Sequence, residues 1–170
     1  IKINKLDSKF ILSHPIAGSE KSGFFNSNKD LFRDKISIIL KHKGLANFTL
    51  QKCKEFWSEL GSKTYNLDSK SHDKIFSLTS HLPHIVAFSL ISLFSKRKTS
   101  EYLKFIGGGL KDFTRIAESD PLMWENIFAL NKNNLMKDIN EFEKEINKIK
   151  KFILQDKGSK LEEHLKNIKK

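Results

Sequence analysis

At 170 residues the chain is sized for one domain, or one and a fraction. A hydrophobic share of 38% with 14 Phe supplies a real core, and interspersed charges at 30% exclude a disordered tail. The net charge of +11 raises a nucleic-acid reading. Lysine carries nearly all of that charge, however, since Arg33, Arg97 and Arg115 are the only arginines, and arginine is what base readout and phosphate forks favour. The lysines also alternate with acids, as in Glu141-Phe142-Glu143-Lys144-Glu145, in the manner of a solvated helix face. No nucleic-acid partner is therefore expected.

Cys53 is the single cysteine, which excludes an internal disulfide and a cysteine zinc site and suits a reducing, cytoplasmic compartment. No signal peptide is expected. The longest apolar run, Ile85 to Phe94, is broken by serines and too short to span a bilayer, so no membrane is expected. The pattern starts in mid-stride at Ile1 and reads as a fragment of a longer protein.

In chain order, Phe10-Ile11-Leu12 predicts a short strand that delivers His14 at its end, before a loop rich in Gly and Ser. Lys35 to Leu40 predicts a second, buried strand. Thr49 is the expected N-cap of an amphipathic helix with Leu50, Cys53, Phe56, Trp57 and Leu60 on one side, and Gly61 closes it. Lys63 to Leu67 predicts a third strand, completing the tail of an α/β domain over residues 1–67. From about Ser69 no strand pattern remains. Ser71 is the expected cap of a helix from His72 that kinks at Pro83 and runs on to Phe94; apolar nearly all round, it must be buried on all sides, in a helical core or a dimer. Ser119 or Asp120 caps the next helix, with Pro121 at its first position. Leu135, Ile139, Phe142, Ile146, Ile149 and Ile153 then recur at steps of four and three, a strong amphipathic helix. Gly158 breaks it, and Leu161, Leu165 and Ile168 mark a frayed, basic terminal helix.

Several residues could carry chemistry. His14 stands at a strand end, where α/β sheets place ligands; a structural histidine is the alternative. His81 and His84 lie three apart and share one helical side, with Ser80 four before His84 and His72 further up the same element. Paired helical histidines can bind zinc, but no His-Glu-x-x-His pattern or third ligand is present, so no metal is expected; histidines bonded within a helical core are the bland reading. Arg115 lies among apolar residues and suits a planar fork for a carboxylate, against a salt bridge to Asp112 or Asp120. Gly107-Gly108-Gly109 is followed by no Gly-Lys-Ser/Thr and so is no phosphate loop; bare backbone for close helix packing explains it. Trp124 reads as core.

Three separated segments then combine. They are Ser13-His14-Pro15-Ile16-Ala17-Gly18-Ser19-Glu20; His72-Asp73 with Ser80-His81-Leu82-Pro83-His84; and Gly107-Gly108-Gly109 with Asp112 to Ala117 and Ser119 to Trp124. In this order, from about Phe10 to Asn131, they resemble the carboxy-terminal half or more of the prephenate (or arogenate) dehydrogenase family. The resemblance implies a mainly α chain: the C-terminal remnant of a Rossmann-type α/β domain (1–67), then an all-helical dimerisation domain (68–170). It implies a fragment of an NAD- or NADP-dependent oxidative decarboxylase of tyrosine biosynthesis, a homodimer acting on prephenate or arogenate. By the same resemblance His14 is catalytic, contacting the ring hydroxyl of the substrate. Ser80, His81, His84, Arg115, His72, Gly108 and Trp124 bind substrate, with Trp124 near the dimer interface. His14, Pro15 and Ser80 meet the cofactor. The family's dinucleotide-binding glycine motif and the serine upstream of the histidine loop are missing, so the chain alone is expected to bind NAD(P) poorly and to be inactive. The alternatives are a basic helical module that binds nucleic acid or protein, and a different dehydrogenase of a carboxylated substrate. Clustering separates them: catalysis needs His14, His84 and Arg115 around one cleft.

Overall fold

Ile36–Leu40 alternates nothing. Ser37, Ile38 and Ile39 are all buried, which marks a strand paired on both edges and covered on both faces. In the computed structural model, which describes residues 10–18, 25, 27–97, 99–155 and 158–168, it is the central strand, β2, of a three-stranded sheet. The first strand, β1 (Leu12–Pro15), runs antiparallel to it with Leu12 opposite Leu40 and Pro15 opposite Ser37. The third, β3 (Lys63–Leu67), runs parallel, with Ile36 opposite Lys63. Ile39 is fully enclosed, and its burial contributes roughly 1.5–3 kcal/mol. Ser37 is equally buried but satisfied: its hydroxyl lies 3.2 Å from that of Ser62, which donates to the Phe32 carbonyl at 2.9 Å. Helix α1 (Asn47–Glu59) crosses between β2 and β3 and buries Trp57, which meets Phe32 edge to face at 5.3 Å. The helix begins earlier than expected. Ala46 stands at its N-cap without a side-chain bond, so Thr49 lies inside the first turn. Gly61 does close it, at φ 81, where a Cβ would lie 3.2 Å from the Arg33 backbone.

Beyond β3 every described element is helical. Asp68, not Ser71, caps α2 (Ser69–Phe76): its carboxylate accepts from the Ser71 amide at 3.0 Å and from the Ser71 hydroxyl at 2.6 Å. A π-helical turn, Ser77–His81, links α2 to α3 (Leu82–Arg97), with the Leu82 amide reaching back five residues to the Ser77 carbonyl. The widened turn falls where Pro83 withholds an N–H and its ring crowds the preceding turn. The three segments form one continuous helix, Ser69–Arg97, of 29 residues. By length and composition alone it could cross a membrane, although the apolar run read from the sequence is too short.

The short α4 (Ser100–Leu103) follows, then α5 (Gly108–Ala117), which packs on α3. Asp120 caps α6 (Pro121–Leu130), accepting from the Met123 amide at 2.7 Å with Pro121 at the first position. Helix α7 (Lys132–Leu154) packs against the π turn and α3, and α8 (Gly158–Ile168) folds back along it. Phe76, Leu82, Ala87, Trp124 and Leu135 form the buried centre. The expected all-round burial of Ile85 to Phe94 is not met within one chain. Only Ala87 is buried in that stretch, and Leu93 is 46% exposed, because α5 and α7 cover only part of α3. Close packing does not explain the three glycines either: a Cβ at Gly107, Gly108 or Gly109 would meet nothing within 4 Å.

Candidate active site

A cleft of about 780 Å³ opens where the end of β1 meets the π turn and α6. Its walls are His14 to Gly18 from the strand and its loop, Phe76, Thr79, Ser80, His81 and His84 from the long helix, and Met123, Trp124 and Ile127 from α6. Ser19 and Glu20 of the same loop motif lie outside the described residues. The sequence motifs thus bring His14, Pro15, Ser80, His81, His84 and Trp124 to one place. His72 stands directly behind His14.

Hydrogen bonds define what each ring can do. His72 Nδ1 lies 2.9 Å from Asp73 Oδ1, and His72 Nε2 lies 2.9 Å from His14 Nδ1. A carboxylate only accepts, so in neutral His72 the proton sits on Nδ1 and Nε2 accepts from His14 Nδ1–H. His14 then carries its lone pair on Nε2. Both rings pack on the buried Phe76, at 4.7 Å for His14 and 4.5 Å for His72. Burial first, and the neighbouring His72 second, hold the His14 pKa below its ordinary 6.5, keeping it neutral and receptive to a proton near neutrality. His72 was expected to bind substrate; both of its nitrogens are instead engaged by Asp73 and His14.

His84 Nδ1 donates to the Ser80 carbonyl at 2.8 Å, which leaves Nε2 unprotonated, and its ring stacks on Trp124 at 3.6 Å. Burial lowers its pKa, and the bond to Ser80 partly opposes this. His81 meets Trp124 edge to face at 6.1 Å, and burial is likewise the main cause of its lowered pKa. The Trp124 Nε1–H is buried with no acceptor among the described residues. Among those residues no group of three His, Cys, Asp or Glu side chains is arranged to hold a metal ion.

Further findings depart from the sequence reading, and Gly108, expected to bind substrate, is not among the residues that line this cleft. Arg115 is not among the described residues that line this cleft. It is exposed on α5 and borders a separate concavity with Lys104, Lys111, Thr114 and Glu118. Of the three residues that clustering required, His14 and His84 therefore meet within the chain and Arg115 does not. Another is Asn131, a residue the sequence did not single out. It is buried at the seam between α6 and α7, and its Nδ2 lies 2.7 Å from the Asp73 carbonyl and 3.2 Å from His81 Nδ1. Its only signal in the sequence is its place after an apolar helix, which any helix-ending asparagine shares.

Comparison with known proteins identifies the family. Family profiles described as prephenate dehydrogenase, nucleotide-binding domain, and prephenate dehydrogenase, dimerization domain, match residues 2–66 and 68–167. The chain is 30% identical over 161 residues to a cyclohexadienyl dehydrogenase of Zymomonas mobilis, covering 93% of this chain and 55% of that protein. It is 31% identical to a prephenate dehydrogenase of Bacillus subtilis, over 95% of this chain and 44% of that one. A crystal structure of prephenate dehydrogenase from A. aeolicus in complex with hydroxyphenyl propionate and NAD+ superposes with a TM-score of 0.88 at 42% identity, covering 96% of this chain and 58% of that one. The chain spans about half the length of the curated relatives it matches.

Proposed function

The chain belongs to the prephenate dehydrogenase family, and from that premise we propose that it carries the substrate-side half of an NAD- or NADP-dependent enzyme that oxidatively decarboxylates prephenate or arogenate. The observation that carries this reading is the Asp73–His72–His14 chain, which ends on an unprotonated His14 Nε2 at a cleft walled by aromatic rings. Residues 1–67 are proposed as the end of the nucleotide-binding domain and 68–170 as the dimerisation domain.

The cleft has room for a flat nicotinamide beside a six-membered substrate ring, and Pro15, Ser80, His84 and Trp124 border that space. No Gly-rich turn for the pyrophosphate occurs in this sequence, so only the nicotinamide end would be held by these residues. A bound dinucleotide supplies the acceptor for the hydride that leaves the hydroxyl-bearing ring carbon. His14 Nε2 accepts the proton of that hydroxyl, leaving a ring carbonyl. When the bond to the ring carboxylate breaks, its electron pair enters the ring, carbon dioxide departs, and the carbonyl oxygen regains a proton as the ring becomes aromatic. His72, held by Asp73, keeps His14 in the receptive tautomer, a role of the orienting kind that acid–base sites use.

Arg115 binds a substrate carboxylate in this reading, but from a second copy of the chain. The half-covered α3 and the exposed Leu122, Leu130 and Leu154 favour an extensive interface through the helices, which a dimerisation domain provides. A bilayer is a poor occupant for that surface: the first half of the long helix carries His72, Asp73, His81 and His84, and charged or polar groups at that depth cost several kcal/mol.

The test is steady-state kinetics of the intact protein with prephenate and arogenate. His14→Asn should lower kcat by roughly 100- to 10,000-fold with KM little changed, because a base acts in the transition state. Near-normal turnover of His14→Asn would remove it from the chemistry.

A further inference from the structure

We propose that Asn131 is a positioning residue that locks His81 as a neutral hydrogen-bond donor at Nε2, and that this donor reads an oxygen acceptor, a carboxylate or carbonyl, on the bound substrate. The identity of the ligand rests on the reading above; the tautomer does not.

The geometry fixes the amide first. Its Nδ2 faces the Asp73 carbonyl at 2.7 Å, and a carbonyl oxygen only accepts, so nitrogen must stand there. The Asn131 Oδ1, on the other side, accepts from Asn134 Nδ2 at 2.8 Å, which agrees with that orientation. The second proton of the same NH₂ group meets His81 Nδ1 at 3.2 Å. Nδ1 is therefore the acceptor, and the neutral ring carries its proton on Nε2. Nearly complete burial keeps water from competing for the amide. Asn131 ends α6 and opens α7, with its own amide bonded to Ile127 and its carbonyl to Leu135, so both helices hold it in place. His81 lines the cleft and thus complements His14 and His84, whose Nε2 atoms are lone-pair acceptors. Of the three, only His81 offers a donor at Nε2 in the neutral state.

The experiment uses the intact protein labelled with ¹⁵N-histidine. In the wild type, His81 should be protonated at Nε2 with Nδ1 bare. Asn131→Asp presents an acceptor to Nδ1 and should move the proton there. Asn131→Leu, of similar size, should leave a mixture of tautomers. In both variants the dissociation constant for hydroxyphenyl propionate, and KM with it, should rise about 10-fold or more, as for a lost bond to a charged group, while kcat changes less than about threefold. A wild-type His81 protonated at Nδ1, an unmoved proton in Asn131→Asp, or unchanged affinity in both variants would overturn the proposal. A merely structural asparagine would lower the melting temperature without moving the tautomer. The wild-type spectrum needs no variant, so it decides even if Asn131→Leu does not fold. Absence of turnover in a wild type with the expected tautomer would instead count against the dehydrogenase reading alone.

Discussion

Replacing His72 with phenylalanine separates orientation from proton transfer. The ring of His72 packs at 4.5 Å from Phe76 and 5.2 Å from His14, and a phenyl ring preserves that packing. Both hydrogen bonds are lost, however: the one to Asp73, which is half exposed and replaced by water, and the one that holds His14 Nδ1. The second is a half-buried bond between neutral rings, worth about 0.5–1.5 kcal/mol. At about 1.36 kcal/mol per factor of ten, its loss from the transition state corresponds to a fall in kcat of roughly 2- to 13-fold. This is well short of the roughly 100- to 10,000-fold expected when the base itself is removed. KM should stay near wild type, since both His72 nitrogens are already engaged and neither is left for the substrate. Initial rates at saturating and limiting substrate, on His72→Phe and His14→Asn side by side, measure both quantities. A fall in His72→Phe as deep as in His14→Asn would make His72 a participant in proton transfer. A KM rise at constant kcat would restore it to the substrate-binding role first read from the sequence. Either result would refute the orienting role.

Two further expectations follow from the same geometry. Co-expressing His14→Asn with Arg115→Ala should recover activity at low substrate, because a mixed dimer holds one site with both native residues. With random pairing about a quarter of wild-type sites return; no recovery would place both residues in the same chain's site. Stability should fall on acidification. His14, His81 and His84 are all held below their ordinary pKa, chiefly by burial, so between the lowered values and 6.5 the unfolded state binds more protons than the folded one. Stability is then fully present above about pH 7.5 and is lost as pH drops through that window. Urea unfolding at about pH 7.5 and about pH 5.5 checks the sign, and greater stability at the lower pH would contradict it.

Legibility followed the range of the interaction. Period and composition are local, so the buried strand at Ile36–Leu40, the strand at Lys63–Leu67 and the long helix through Leu135 and Ile153 were all readable. The helix starts were less so. Thr49 and Ser71 are good caps, but Ala46 and Asp68 occupy the cap positions, because where a turn begins depends on how the preceding strand ends. Six of the residues that the motif resemblance names line one cleft, since such motifs encode a shared three-dimensional arrangement. The resemblance could not say that His14 and His72, 58 residues apart, are bonded to each other, nor that Arg115 turns towards a different concavity. The apolar pattern from Ile85 calls for cover in a helical core or a dimer, and which of the two supplies it is a property of the assembly that no single-chain pattern contains.

Asp73 joins the two halves of the site. Its carboxylate accepts from His72 and, through it, leaves His14 with a lone pair on Nε2. Its backbone carbonyl accepts from Asn131 and, through that amide, leaves His81 with a proton on Nε2. The side chain and main chain of one residue thus impose opposite tautomers on two histidines of one cleft. Neutral imidazole shows little intrinsic preference strong enough to survive a change of hydrogen-bond partner, so the outer contacts decide. The π turn makes this possible. The Ser77 amide also bonds to the Asp73 carbonyl, and the Ser77 hydroxyl donates to Asp138 on α7, which anchors the turn where the two arms diverge. A regular α-helical turn would rotate His81 and His84 relative to Asp73 and separate the donor from the acceptor. The extra residue in that turn, beside a proline that already weakens the regular helix, is what sets the acid–base polarity of the cleft.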